Sequence, residues 1–339
     1  MAVYLDTKVV AVWFAVSIVL CAGLINMYMA PKCKDIIELT PCIVQQVAVK
    51  ELAIAPPPII NNALCTQNTR INPFTADDMK MAKQMRRDWT RVLPFQIEEM
   101  LTRNAVPESS EREFPLSHSR FDVLGPMTPA CHELEAFGTG DGEKRACSLT
   151  KLIHSGHGDC TIISLGSNDE WDFEVAIFNA FPACQIETFD CTLPPHIRPP
   201  AHIASRTRLH HVCVGPTDML DASGREYRSW KSILTLMNVK TAPLYLKMDI
   251  EGHEYQVLRS IVNDGTMLPM QIAFELHYQS LTENLPWALN QKRKSTAELL
   301  TFMEYLHYEG GYYFIDQRNN PGCFYCSELL ITQLPCQIT

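Results

Sequence analysis

Between residues 161 and 276 the chain repeats one pattern, a short apolar run followed by a stretch with apolar residues at helical spacing. Thr161–Leu165 (TIISL) is β-rich and apolar apart from Ser164, as a strand covered on both faces would be. Gln185–Phe189 (QIETF), Leu209–Val214 (LHHVCV), Leu244–Met248 (LYLKM) and Gln271–Leu276 (QIAFEL) read as further strands. The intervening segments read as helices: Asp172–Phe181 (stopped by Pro182), Trp230–Met237, Glu254–Val262 and Thr296–Tyr308. Strands that alternate with helices predict an α/β fold with a parallel sheet. Two last strands, Tyr312–Asp316 and Ser327–Thr332, are too close for a helical crossover, so an antiparallel hairpin should end the sheet.

The N-terminus follows different rules. From Val9 to Ala30 no residue is charged, and 22 residues make roughly 33 Å of helix, enough to span a bilayer core. The reading is a short head at 1–8, a transmembrane signal anchor at 9–30 and a stem at 31–128, with a helical segment near 75–104 that Thr75 caps and Pro94 interrupts. The regular domain then fills 129–339. A cleaved signal peptide, giving a secreted form, is the rival to the anchor. Flanking lysines do not fix orientation, but a short head before a large body suggests a type II protein with the body in the ER or Golgi lumen. Thirteen cysteines fit an oxidising compartment, although their pairing cannot be read from sequence. The net charge of −9 and the lack of any Lys/Arg block argue against a nucleic-acid partner. Oligomeric state is left open.

Ligands of open parallel sheets bind beyond the carboxyl ends of the strands. The first such end reads Gly166-Ser167-Asn168-Asp169-Glu170, where a glycine allows close approach and the following helix presents N–H groups to a carboxylate. The second ends in Asp190, placed to accept hydrogen bonds from ribose hydroxyls. Neither G-x-G-x-x-G nor G-x-x-x-x-G-K-[ST] occurs, which weakens the case for an NAD enzyme or a P-loop NTPase. The fourth end carries Lys247, Asp249, Ile250, Glu251, Gly252 and Glu254, an apolar strand that turns on an acid into an apolar helix.

Those six residues match K-x-D-[IV]-E-G-x-E, and there the chain resembles the FkbM-type methyltransferases, over roughly residues 130–339. Asp141-Gly142 with Cys147, the Ser164–Asn168 turn, Phe189-Asp190 and the closing Cys326–Leu330 strand resemble the animal methyltransferase-like members of that group. The resemblance implies a Rossmann-like class I methyltransferase sheet, mostly parallel, that binds S-adenosylmethionine at Gly166 and Asp190. Ser167, Asn168 and Asp249 join them as expected cofactor contacts. The chain departs from the broader methyltransferase pattern in having Ser167-Asn168 where a second glycine is common.

For chemistry, Asp249, His253, Glu275 and His277 should gather at the ends of the fourth and fifth strands. Asp249 is the first choice as base or acceptor-orienting group and His277 the second, while His253 reads as a junction residue. The expectation is no metal, against an alternative in which Asp249, His253 and His277 hold a divalent cation. Cys323-x-x-Cys326 has zinc or redox spacing, but no partner pair is near it in sequence, so incidental or disulfide-bonded cysteines are favoured. His210 and His211 should point to opposite faces of one strand.

The leading function is O-methylation of a hydroxyl on a glycan, lipid or small molecule in the secretory pathway. A methyltransferase-like domain that binds without turnover is one alternative. A Golgi-type glycosyltransferase is another, with the same head, anchor and stem but no D-x-D motif in this chain.

Overall fold

In the computed structural model the described residues are 75–88, 131–155, 160–277, 294, 296–320, 323 and 326–333. The stretch expected to be an anchor, 9–30, lies outside them, as do residues 89–104 of the stem helix. Among the described residues no helix is long and apolar enough to cross a membrane. Of the stem helix, residues 76–88 are helical (α1). Thr75 and Asp78 close its first turn reciprocally: the Thr75 amide donates to Asp78 Oδ2 at 2.7 Å, and the Asp78 amide donates to Thr75 Oγ1 at 3.1 Å.

The regular domain begins with a hairpin not foreseen from the sequence, β1 (Leu134–Phe137) and β2 (Lys144–Cys147), followed by α2 (Leu149–Ser155). The repeat comes next: β3 (Cys160–Leu165), α3 (Asp172–Ala180), β4 (Cys184–Phe189) and β5 (Thr207–His210). β6 (Cys213–Val214), β7 (Met219–Leu220) and β8 (Glu226–Arg228) make a small separate sheet. α4 (Trp230–Leu236), β9 (Tyr245–Met248), α5 (Glu254–Asp264), β10 (Gln271–His277), α6 (Thr296–Tyr308), β11 (Tyr312–Asn319) and β12 (Cys326–Gln333) complete the chain.

The main sheet has seven strands in the order β11-β12-β10-β9-β3-β4-β5. β10, β9, β3, β4 and β5 are mutually parallel, and β12 pairs antiparallel with both β10 and β11. The terminal hairpin is therefore present as expected. One expected strand is not continuous. LHHVCV breaks after His210: β5 stays in the main sheet, while Cys213 joins β8 and is tied by a disulfide to Cys191. That crosslink draws the chain off the sheet edge, so the 209–214 run serves two sheets.

Apolar residues cover both faces, as a parallel sheet requires. On one face Ile163, Leu165, Leu246, Met248, Ile272 and Phe274 meet α4, α5 and α6 through Trp230, Leu258, Ile261 and Leu299. On the other, Ile162, Ile186, Tyr245 and Ala273 meet Phe137, Leu149, Phe173 and Ile177. Strand alternation thus assigns every second residue of β9, β10 and β12 to the second face. Near the carboxyl ends of β9 and β10 that face changes from apolar to mostly polar and titratable. The residues involved are Lys247, Glu275, His277, Cys326 and Glu328, with Asp249 one step beyond β9.

Candidate active site

Strand order reverses between β3 and β9, and a cleft of about 270 Å³ opens there beyond the carboxyl ends. Leu165, Phe173, Phe189, Val214 and Tyr227 supply apolar wall, and Asp190, Lys247, Asp249 and Glu275 supply polar floor. Gly166, Ser167 and Asn168 also line it, so all the expected cofactor contacts reach one cavity.

The turn after β3 is shaped by backbone crowding. Gly166 has φ +77°, and a Cβ there would lie 1.8 Å from the Asp249 carbonyl oxygen, so glycine is what lets the β3 and β9 ends run side by side. The Asp249 amide donates to Leu165 O at 2.9 Å, and the Lys247 ammonium donates to the Gly166 carbonyl. Asn168 (φ 50°) and Asp169 (φ 60°) are also left-handed, a conformation their short polar side chains tolerate better than most.

Asp190 holds this turn from β4. Its Oδ2 accepts from the Ser167 amide at 2.9 Å and the Asn168 amide at 2.8 Å, and its Oδ1 accepts from the Thr192 amide at 2.9 Å and Oγ1 at 2.6 Å. A carboxylate offers about four lone-pair positions, and these bonds fill them. Burial alone would raise the Asp190 carboxyl, but the bonds from Thr192, Asn168 and Ser167 outweigh it and hold it below the usual carboxylate range.

The two carboxyl groups of the cleft floor, Asp249 and Glu275, belong to a row of three. Met248 pairs with Phe274 and Glu275 with Glu328, so Asp249, Glu275 and Glu328 stand at one level on neighbouring strands. Lys144, fully buried on β2, reaches into this row, with its Nζ 2.5 Å from Glu328 Oε1 and 3.6 Å from Asp249 Oδ2. Burial would lower the lysine, but Asp249 and Glu328 hold it above its ordinary value. Burial would likewise raise Asp249, but Lys144 and Lys247 bring it below the usual range, so it is ionised at neutral pH. Glu275 lies in the middle. Burial, with Asp249 beside it, pushes its carboxyl up to about 9, so it is protonated at neutral pH.

His277, the second catalytic choice, is buried and is not among the cleft-lining residues. Its Nδ1 is 3.2 Å from Glu254 Oε1, and its Nε2 is 3.4 Å from Glu251 Oε2 and 3.8 Å from Glu275 Oε2. Burial opposes its charge, but Glu254 overrides this and moves the imidazole up to about 10. Glu254 also accepts from the Ile250 and Gly252 amides at 3.1 Å each, which fixes the turn leading into α5. His253 lines the cleft at the start of α5.

The sequence reading brought Asp249, Glu275 and His277 together correctly. The trio close enough to share a cation, however, is Asp249, Glu251 and His277, with Glu251 in the position expected of His253. Lys144 and Glu328 were missed. A lysine in a four-residue strand carries no signal that it points inward, and only the pairing of β10 with β12 reveals Glu328. Glu254 was visible as a motif residue, but its task of bonding the turn was not. The Cys323–Cys326 pair forms a disulfide, as the favoured reading of that motif allowed.

A family profile described as a methyltransferase domain matches residues 122–296, more than half of the chain. No curated protein matches the sequence. Among solved structures, the FkbM methyltransferase of Methylobacillus flagellatus is 17% identical with a TM-score of 0.34, covering 51% of this chain and 43% of that one. The Methanococcus jannaschii fibrillarin pre-rRNA processing protein is 9% identical with a TM-score of 0.34, covering 61% and 85%. The mitomycin 7-O-methyltransferase is 12% identical with a TM-score of 0.28, covering 55% and 52%. The chain thus spans less than half of the first of these proteins and about half of the third.

Proposed function

Since this chain belongs to the methyltransferase-domain family, we propose that its cleft binds S-adenosylmethionine and methylates a hydroxyl on a glycan, lipid or small molecule. The observation that carries this reading is Asp249, an ionised carboxylate on the cleft floor, in backbone contact with the Gly166 turn and opposite Asp190. Gly166, Ser167 and Asn168 would hold the amino-acid end of the cofactor. Asp190 with Thr192 would hold the ribose, and Val214 and Tyr227 the base. When bound, the cofactor supplies a methyl group on a sulfonium, which is open to in-line displacement.

Asp249 accepts the hydrogen bond of the incoming hydroxyl and aligns its oxygen with that methyl. A hydroxyl oxygen acquiring a carbon becomes far more acidic, so even a carboxylate of depressed pKa can take its proton. Glu275, already protonated, cannot. It can only donate. Three further disulfides, Cys131–Cys147, Cys160–Cys184 and Cys191–Cys213, support an oxidising compartment. A luminal body behind the uncharged 9–30 segment follows from that reading.

The test is calorimetric titration of the full-length chain with S-adenosylmethionine, paired with radiolabelled methyl transfer to a panel of hydroxyl acceptors. Asp249→Asn should bind the cofactor nearly as well and turn over about 10²–10⁴-fold more slowly. A chain that binds no S-adenosylmethionine would overturn the proposal. A second reading, a domain that binds without turnover, is favoured by one observation, that Asp190 spends all its lone pairs within the protein. Tight binding with no product from any acceptor would select it.

A further inference from the structure

The carboxyl end of β10 meets the start of β12 at a second cluster, which shares Glu275 with the cleft. His277 and Cys326 are cross-strand partners, and Glu275 lies two residues before His277 on the same face. Cys323, three residues before Cys326, falls at the same place. One donor atom from each of Glu275, His277, Cys323 and Cys326 falls within 4.8 Å of every other. Cys326 Sγ stands 2.5 Å from Glu275 Oε1, and three of the four residues are buried.

We propose that Glu275, His277, Cys323 and Cys326 form a tetrahedral zinc site in the reduced chain. Zinc takes sulfur at about 2.3 Å and nitrogen or oxygen at about 2.0–2.2 Å, so its ligands sit roughly 3.3–3.8 Å apart, and the two sulfurs, bonded here, must part to reach that spacing. Two thiolates and an imidazole select zinc over magnesium or calcium, which prefer oxygen. Glu254 Oε1, 3.2 Å from His277 Nδ1, accepts that N–H, so Nε2 is the ligand atom once its own proton has left. This is the carboxylate–histidine–zinc arrangement that orients metal-binding histidines.

In the structure the two cysteines are joined, so the disulfide is the metal-free form and reduction opens the site. A phosphine reductant becomes its oxide with oxygen from water, and the disulfide gains two electrons and two protons to give two thiols. Zinc binding then releases both thiol protons together with the protons that Glu275 and His277 carry at neutral pH. Because β12 carries Glu328 to the Lys144 cluster, the ion would also pin the strand that completes the carboxylate row.

The experiment uses the full-length protein, reduced with a water-soluble phosphine, desalted without oxygen and titrated with zinc or cobalt. Expected are a thiolate-to-cobalt charge-transfer band with the intense d–d bands of tetrahedral cobalt, and their loss in the unreduced protein. Cys323→Ser and Cys326→Ser should each abolish the band while far-UV circular dichroism is retained. Glu254→Gln should weaken zinc about 10–100-fold against a competing chelator. Cobalt spectra without thiolate transitions, bands that survive both serine variants, or a Cys323–Cys326 bond that no phosphine opens would each overturn the site. A cation held by Asp249, Glu251 and His277 would give the first of these results. None depends on S-adenosylmethionine, so failure here and failure of the methyl-transfer reading are separable.

Discussion

Replacing Lys144 by methionine removes the one fully buried ammonium from the carboxylate row and leaves Glu328 and Asp249 facing each other with Glu275 between them. Methionine fills most of the same volume, so the cost is electrostatic. Breaking a buried pair from one side costs about 3–5 kcal/mol, because the remaining charge stays buried without its counterion. For a domain of this size that lowers Tm by roughly 6–20 °C. The pH dependence separates this cause from poor packing. Lys144 is raised above the ordinary lysine value of 10.5, so its stabilisation is fully present below that value and lost only as pH climbs through the higher folded one. The wild type therefore gains no slope from Lys144 between pH 5 and 8. In the variant Glu328 and Asp249 lose their cation and their folded pKa values rise. Folded protein then holds protons that unfolded chain has released, and stability falls as pH increases above the ordinary carboxylate range. Urea unfolding at pH 5 and pH 8, with disulfides intact, should show the larger deficit at pH 8. Glu328→Gln added to the variant should recover part of it. A loss below about 1 kcal/mol at pH 8, or equal losses at both pH values, would refute the argument.

Two further outcomes follow from the turn after β3. Gly166→Ala would place a methyl 1.8 Å from a backbone oxygen at positive φ, so the β3 and β9 ends must separate. Cofactor affinity measured by calorimetry should fall at least tenfold, and unchanged affinity would mean that the turn tolerates the shift. Asp190→Ala leaves the Ser167 and Asn168 amides without their acceptor, at about 1–3 kcal/mol for each buried group. Denaturant midpoint and cofactor affinity should drop together, and a loss of affinity at unchanged stability would instead assign Asp190 wholly to the ligand.

Strand and helix positions were legible because burial on both sides leaves long apolar runs that only a covered strand or an amphipathic helix explains. LHHVCV misled for a definite reason: the same residues suit one strand or two, and the Cys191–Cys213 bond that separates them has no signature in spacing. At the site, Asp249 and Gly166 were legible because a strand-to-helix junction concentrates the signal in consecutive residues. Lys144, Glu328 and the meeting of Glu275 and His277 with Cys323 and Cys326 were not. Each depends on which distant strand lies alongside β10, and pairing order has no local pattern.

The partnership between Lys144 and Glu328 joins residues 184 positions apart, nearly the two ends of the domain. A ribosome adding about 5–20 residues per second makes the lysine roughly 10–40 s before its partner. During that interval β3 to β5 are already synthesised, while the acid row lacks its last strand. The centre is therefore the final part of the domain to mature, and a product truncated before β12 would carry the Gly166 turn beside an unfinished carboxylate row.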